Sequence, residues 1–173
     1  ARYYEWLVAN LYEICDREPD AMEEMVHRSC DIKRKIVEND PTEKGERALL
    51  NLGHTIGHAV EKAKDFSLTH GECVALGCVA AAFISWKKEL LSMEEYYEIR
   101  DMFVPFNLPI SVDDLDREQI LALTKSDKKM EEGHIKFVLL QKIGKAVLDT
   151  TVTEEEILAA IDEINFTEED EHE

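Results

Sequence analysis

The sequence is short of positive charge. It carries 20 lysines and arginines against 38 aspartates and glutamates, a formal net charge of −18 over 173 residues. That balance excludes a broad basic face, and with it nucleic acid and anionic membrane surfaces as partners, because both are held through clustered lysine and arginine. Long hydrophobic runs are also missing. None approaches the roughly 20 apolar residues of a membrane-spanning helix, and no signal-peptide pattern opens the chain. There is no G-x-G-x-x-G and no Walker loop, so neither nucleotide-binding fingerprint is present. No internal repeat, low-complexity segment or domain linker interrupts the chain. Cysteine is sparse: Cys15, Cys30, Cys73 and Cys78, with no C-x-x-C pair. All four fall in apolar helical patterns, which predicts buried, reduced thiols in a cytoplasmic protein.

What is present reads as one globular domain. Apolar residues make up 45% of the chain, enough for a real core at this length. Tyr4, Leu7, Val8, Leu11 and Ile14 recur at helical spacing over Ala1–Arg17. That pattern begins without an initiator methionine, a cap or a preceding turn, so the chain is expected to be a truncated or processed piece. Pro19 suits the first turn of a second helix, about Asp20 to Asn39. Met22, Met25, Val26, Ser29, Ile32, Ile36 and Val37 are expected to face inward there, with Lys33 between them. Asp40-Pro41-Thr42 ends that helix. Glu72 to Trp86 is apolar all round and rich in small residues, and it predicts a central buried helix. Ser92-x-x-Glu95 opens a helix to about Phe103, Asp116-x-x-Gln119 one to about Thr124, and Thr153-x-x-Glu156 one to about Ile164. His134 to Gln141, a turn at Lys142–Lys145 and a return over Ala146–Val152 predict one hairpin. The expected fold is mainly α over residues 1–166, a multi-helix domain with one small β-hairpin. An acidic tail over residues 167–173 is expected to be disordered.

Gly45 to Gly77 is the informative stretch. It holds His54, His58 and His70, three of the six histidines, with Arg47, Asn51 and five of the seven glycines. His54 and His58 are spaced to share one helix face a turn apart. His70 follows a polar break at Lys64–Thr69 and opens the next apolar run. The spacing predicts a helix, a turn and another helix, with Arg47, Asn51, His54 and His58 in a single polar stripe on the first. A solvated face would be rich in glutamate and lysine, so the stripe reads as the wall of a wet cleft. Three imidazoles with Glu61 and Glu72 close by suit a divalent metal such as zinc. The plainer alternative is that His54 and His58 are partly buried polar residues packing one helix on another.

The string Arg47-x-x-x-Asn51-x-Gly53-His54-Thr55-x-Gly57-His58-Ala59-x-Glu61, followed by His70-Gly71-Glu72, resembles the signature of the 3-dehydroquinate synthases, members of the sugar-phosphate cyclases. Lys33, the Asp40…Glu43-x-Gly45 lead-in and Asp127-Lys128-Lys129 extend the match. The likeness runs to about Ile164 and covers only that family's C-terminal, α-helical domain. It implies an enzyme with NAD and Zn2+, or another divalent metal, that turns 3-deoxy-arabino-heptulosonate 7-phosphate into 3-dehydroquinate and phosphate, an early step of the shikimate pathway toward aromatic amino acids. A secondary alcohol is transiently oxidised, phosphate is eliminated, the ketone is reduced, and the ring opens and recloses. Residue by residue, the resemblance makes His54 and His70 the metal ligands and His58 the active-site group in proton transfer. Lys33, Arg47, Asn51, Lys128 and Lys129 match substrate-contacting positions. By spacing alone, His54 and His58 would have been the paired ligands.

Two parts of the family pattern fall upstream of residue 1: a third metal ligand, a glutamate, and the NAD-binding domain. The isolated chain is therefore expected to bind zinc weakly and to be inactive. Its expected partners are a phosphorylated sugar acid, its own N-terminal domain, and a second copy in a homodimer of the full-length protein. A sibling cyclase acting on another sugar phosphate, or a non-catalytic helical scaffold, are the competing readings.

Overall fold

The computed structural model describes residues 2–43, 45–126, 130–131 and 134–166. The molecule is built around one helix. Helices α1 (Arg2–Ala9), α2 (Leu11–Cys15) and α3 (Pro19–Asn39) form an N-terminal arm; a 3-10 segment Glu46–Asn51 follows, then α4 (His54–Ala63), α5 (His70–Lys87) and α6 (Met93–Asp101). After them come β1 (Val112–Asp113), α7 (Arg117–Ser126), β2 (Met130–Glu131), β3 (His134–Ile135), β4 (Phe137–Lys142), β5 (Lys145–Asp149), α8 (Glu154–Ile164) and β6 (Asn165–Phe166). No helix among the described residues is long and apolar enough to cross a membrane.

The central helix is α5, as its composition predicts. Eleven of its 18 residues are buried, from Cys73 through Ser85, so it is apolar all round and other elements must cover every side. Helices α4, α6 and α8 and strand β4 pack on it, and α7 bridges α4 and α8. Side chains hold this arrangement at two points. Ser85, fully buried, donates its hydroxyl to the Ala81 carbonyl (2.7 Å) and accepts the Leu140 N–H (2.9 Å), which pins β4 to α5. Tyr96, also fully buried, stacks on Trp86, meets Phe83 edge-on and donates its hydroxyl to Glu163. Helices α5, α6 and α8 each open on a complete capping box, at Thr69/Glu72, Ser92/Glu95 and Thr153/Glu156.

Several sequence expectations need correction. The hairpin is present as β4–β5, turning through Gly144 at φ +84°. Its first strand is shorter than expected, because His134–Ile135 pairs instead with Met130–Glu131. Its second strand ends at Asp149, whose carboxylate accepts the Thr151 N–H and turns the chain. A two-residue parallel pairing of β1 with β6 has no periodicity that a sequence could display. The inward stripe expected on α3 is not buried: no residue of α3 is, and Val26 is 55% exposed. The arm instead rests across an open apolar cavity of about 640 Å³ lined by Tyr4, Leu7, Met25, Leu52 and Phe103. The four cysteines are all free thiols, but Cys15 and Cys30, which lie on that arm, are exposed.

The largest correction concerns the glycine-rich stretch. It is not one helix. The 3-10 segment stops at Asn51, Leu52 is extended (φ −52°, ψ 130°), and Gly53 takes the left-handed conformation at φ +79° before α4 begins. Contact with α5 is the reason. A Cβ on Gly53 would lie 2.6 Å from the Val74 carbonyl oxygen and 2.6 Å from Cys78 Sγ. A Cβ on Gly77 would lie 1.8 Å from the Gly53 carbonyl oxygen, and one on Gly57 would lie 2.7 Å from the Cys73 carbonyl oxygen. Glycine at these positions lets the two backbones touch, and left-handed φ is accessible there without a Cβ clash.

Candidate functional site

The first turn of α4 and the first residue of α5 meet at one end of that backbone contact. His54 opens α4, His58 lies one turn on, and His70 opens α5. The short connection between the helices turns through Asp65 and Phe66, both at positive φ, and brings His70 back over α4. The three ring centroids are 5.1 Å (His54–His58), 5.5 Å (His54–His70) and 5.6 Å (His58–His70) apart. One ring nitrogen from each can be chosen so that all three lie within 4.8 Å of one another. A single ion about 2.0–2.1 Å from each nitrogen fits that spacing after small side-chain shifts.

Ring orientation is set by oxygen acceptors. His54 Nδ1 lies 3.2 Å from the Leu52 carbonyl oxygen. His70 Nδ1 lies 3.4 Å from both carboxylate oxygens of Glu61. Carbonyl and carboxylate oxygens only accept, so each Nδ1 is the donor, and in the neutral imidazole that leaves the lone pair on Nε2. This is the arrangement that imidazole ligands of a metal adopt. His54 and His58 are half-buried and His70 is exposed.

The two carboxylates that the sequence placed beside the histidines have different jobs. Glu72 accepts the Thr69 N–H and hydroxyl, both at 2.7 Å, as the reciprocal half of the α5 cap. Those bonds, the backbone one first, hold its carboxyl below the ordinary range. It is committed to the helix terminus rather than to an ion. Glu61 stands behind His70. Cys73, the buried thiol nearby, is pushed up by burial and by the charges of Glu61 and Glu72, which keeps it protonated.

The structure does not put Arg47 and Asn51 on a helix with His54 and His58, because the chain breaks at Leu52–Gly53. They belong to a separate polar knot. Asp40 Oδ2 accepts the N–H groups of Gly45 (2.8 Å) and Arg47 (3.1 Å), which starts the 3-10 segment. Arg47 donates to the Pro41 carbonyl (2.8 Å) and lies 4.0 Å from Glu43. Asn51 donates to Glu43 Oε1 at 2.7 Å. Glu43 thus joins the two, a role the sequence did not reveal. Lys33 is exposed on α3. Lys128 and Lys129, with Asp127, lie outside the described residues, as does the tail 167–173.

The family model described as 3-dehydroquinate synthase C-terminal matches residues 1–130. A 3-dehydroquinate synthase of Thermoanaerobacter pseudethanolicus is 40% identical over 159 residues, 91% of this chain and 44% of that protein. One of Nitrosomonas europaea is 40% identical over 153 residues, 88% of this chain and 42% of that protein. The chain therefore spans less than half the length of these curated relatives. Among solved structures, the 2-epi-5-epi-valiolone synthase ValA of Streptomyces hygroscopicus subsp. jinggangensis, with NAD+ and Zn2+ bound, shares the fold. Its TM-score is 0.82 at 24% identity, covering 93% of this chain and 45% of that one. A 2-deoxy-scyllo-inosose synthase complexed with carbaglucose-6-phosphate, NAD+ and Co2+ superposes with TM-score 0.68 at 25% identity, over 83% of this chain and 41% of that one. The fold is thus shared with these synthases, and the family-model match over residues 1–130 shows the family: this chain belongs to the 3-dehydroquinate synthase family, of which it carries the C-terminal domain.

Proposed function

We propose that this chain is the metal- and substrate-binding half of a cytoplasmic 3-dehydroquinate synthase, which converts 3-deoxy-arabino-heptulosonate 7-phosphate to 3-dehydroquinate and phosphate. The observation that carries the reading is the convergence of His54, His58 and His70, with the Nδ1 atoms of His54 and His70 held by oxygen acceptors. In this reading His54 and His70 hold a divalent ion, zinc in the first instance. The ion supplies Lewis acidity toward a substrate hydroxyl, and a nicotinamide held mainly by the upstream domain supplies reversible hydride transfer. His58, within ring contact of both ligands, moves a proton to or from the substrate. Arg47 and Asn51 hold the substrate's anionic groups, with Lys33, Lys128 and Lys129 as further cationic contacts. Most of the acceleration comes from this placement and from fixed positive charge facing developing negative charge.

The third ligand and the nicotinamide site belong to the upstream half in this reading. The chain alone then binds zinc weakly and does not turn over. A net charge of −18 works against a phosphorylated substrate overall, so in this reading anion binding rests on a few local cations.

A sibling cyclase remains the second reading, because the structures sharing the fold include enzymes named for other carbocycles. Phosphate release from the seven-carbon keto-acid phosphate, with the carbocyclic product identified by NMR, tests the proposal. It is measured on this chain joined to the upstream half that its relatives carry. Release of 3-dehydroquinate by the joined protein supports the reading. Turnover only with a different sugar phosphate moves the chain to a sibling.

A further inference from the structure

We propose that Glu61 is a positioning residue for the metal site. Its carboxylate fixes the ring and tautomer of His70 so that Nε2 is the nitrogen left to hold an ion. The inference rests on the proposed metal-binding role of His54 and His70. Three observations carry it. Glu61 lies on α4 three residues beyond His58 and seven beyond His54, and therefore on the same helix face. Both of its carboxylate oxygens lie 3.4 Å from His70 Nδ1, while the convergent ligand set comprises the three histidines without it. The Glu61 side chain is only 18% exposed, against 55% for His70.

That difference in exposure gives the contact its purpose. An exposed histidine at the first position of a helix has few neighbours to hold its ring, and in water its imidazole samples both tautomers and several rotamers. A carboxylate anchored on the facing helix removes that freedom. It accepts from Nδ1 and so favours the neutral tautomer with its lone pair on Nε2. His54 is treated in the same way by the Leu52 carbonyl oxygen. One ligand is oriented by the main chain, which no side-chain substitution removes. The other is oriented by a side chain, and that one can be tested. Glu72, the other nearby carboxylate, is already committed to the α5 cap.

The test uses this chain joined to the upstream half that its relatives carry, with Co2+ as the probe metal. Titrations followed by visible absorption compare the unchanged protein with Glu61→Ala, Glu61→Gln, His54→Ala and His70→Ala. Each variant is first checked for folding by circular dichroism. In parallel, long-range 15N–1H correlation spectra of the metal-free protein at pH 8.5 report the His70 tautomer. The expected result for Glu61→Ala is Co2+ affinity weakened about 10- to 100-fold, the range seen for loss of partners behind metal ligands. The absorption envelope of the saturated site should be unchanged, and the His70 Nδ1–H tautomer should lose population. Glu61→Gln keeps an accepting carbonyl oxygen, so it should retain the tautomer and lose less affinity. It also keeps the test open should the alanine variant fail to fold. A changed absorption envelope in Glu61→Gln would make Glu61 a direct ligand and overturn the proposal. Unaltered affinity and tautomer in the Glu61 variants, with binding lost in His54→Ala and His70→Ala, would overturn it while leaving the metal site in place. Binding that survives His54→Ala and His70→Ala would overturn the site assignment itself.

Discussion

Gly77 sits directly over the carbonyl of Gly53, so close that a Cβ on Gly77 would lie 1.8 Å from that oxygen. The contact seats the start of α4, and with it His54, against the central helix. The geometry of the histidine cluster therefore depends on two residues that carry no functional group.

Gly77→Ala should be among the most damaging single-atom additions in the chain. The oxygen it meets is backbone and cannot rotate away, so Gly53 and α4 must move as a body. Overpacking of this kind costs about 1–3 kcal/mol and occasionally more. Gly71→Ala is the contrast. Nothing lies within 4 Å of its Cβ position, and Gly71 is not among the residues at positive φ. It should be neutral or stabilising by up to ~1 kcal/mol, because alanine favours helix. Chemical denaturation of the two variants checks the pair: a large drop for the first, none for the second.

Ser85→Ala should destabilise by about 1–3 kcal/mol, although it removes only one oxygen. Its hydroxyl is the acceptor for the buried Leu140 N–H, and alanine leaves that donor unsatisfied where β4 meets α5. Hydrogen exchange at the Leu140 amide should accelerate along with the loss in denaturation midpoint. Unchanged exchange would show that the strand is held without this bond.

The thiols should divide into two classes. Cys15 and Cys30 are exposed and should react quickly with a thiol reagent at pH 8 in the isolated chain. Cys73 is buried and should react only as the protein unfolds, while Cys78 is half-buried with its thiol pushed by burial from its ordinary 9 up to about 12, so it should react slowly. The same burial has a pH consequence. Tyr4 is also raised, from 10 to about 12, by burial first and then by Glu98. A group whose folded-state pKa lies above its unfolded value adds stability that is fully present below the unfolded value and is lost as pH rises through the folded one. Stability should therefore fall between about pH 9 and 12, for Cys78 from 9 upward and for Tyr4 from 10 upward. Denaturant melts at pH 8, 10 and 11 measure this. A Cys78→Ala variant should show a shallower decline.

Much of the fold was legible because its signals are local. The capping boxes at Ser92 and Thr153 predicted helix starts to the residue, and the uniform apolarity of α5 predicted its central place. The same capping rule applied to Thr69-x-x-Glu72 would have placed the start of α5 and freed Glu72 from consideration as a ligand. Reading that glutamate as metal chemistry concealed an ordinary cap. The break at Gly53 was not legible. Side-chain spacing over Arg47–His58 is compatible with one helix, and the backbone contact with Gly77 that forces the break joins residues 24 apart. Tertiary packing overrode the periodicity there. In the site, the three histidines were legible from spacing and resemblance together. Which atoms orient them was not, because a carbonyl such as that of Leu52 leaves no mark in a sequence.

The most direct test of the central claim is the metal content and turnover of three histidine variants, prepared in this chain joined to the upstream half of its relatives. The account predicts that His54→Ala and His70→Ala lose bound zinc, and turnover with it. His58→Ala should retain zinc and lose turnover by about 10²- to 10⁴-fold, the usual contribution of a positioned proton-transfer group. Zinc lost equally from His58→Ala would make all three imidazoles ligands, and zinc retained in His54→Ala or His70→Ala would remove the metal from this cluster. Either result would contradict the account.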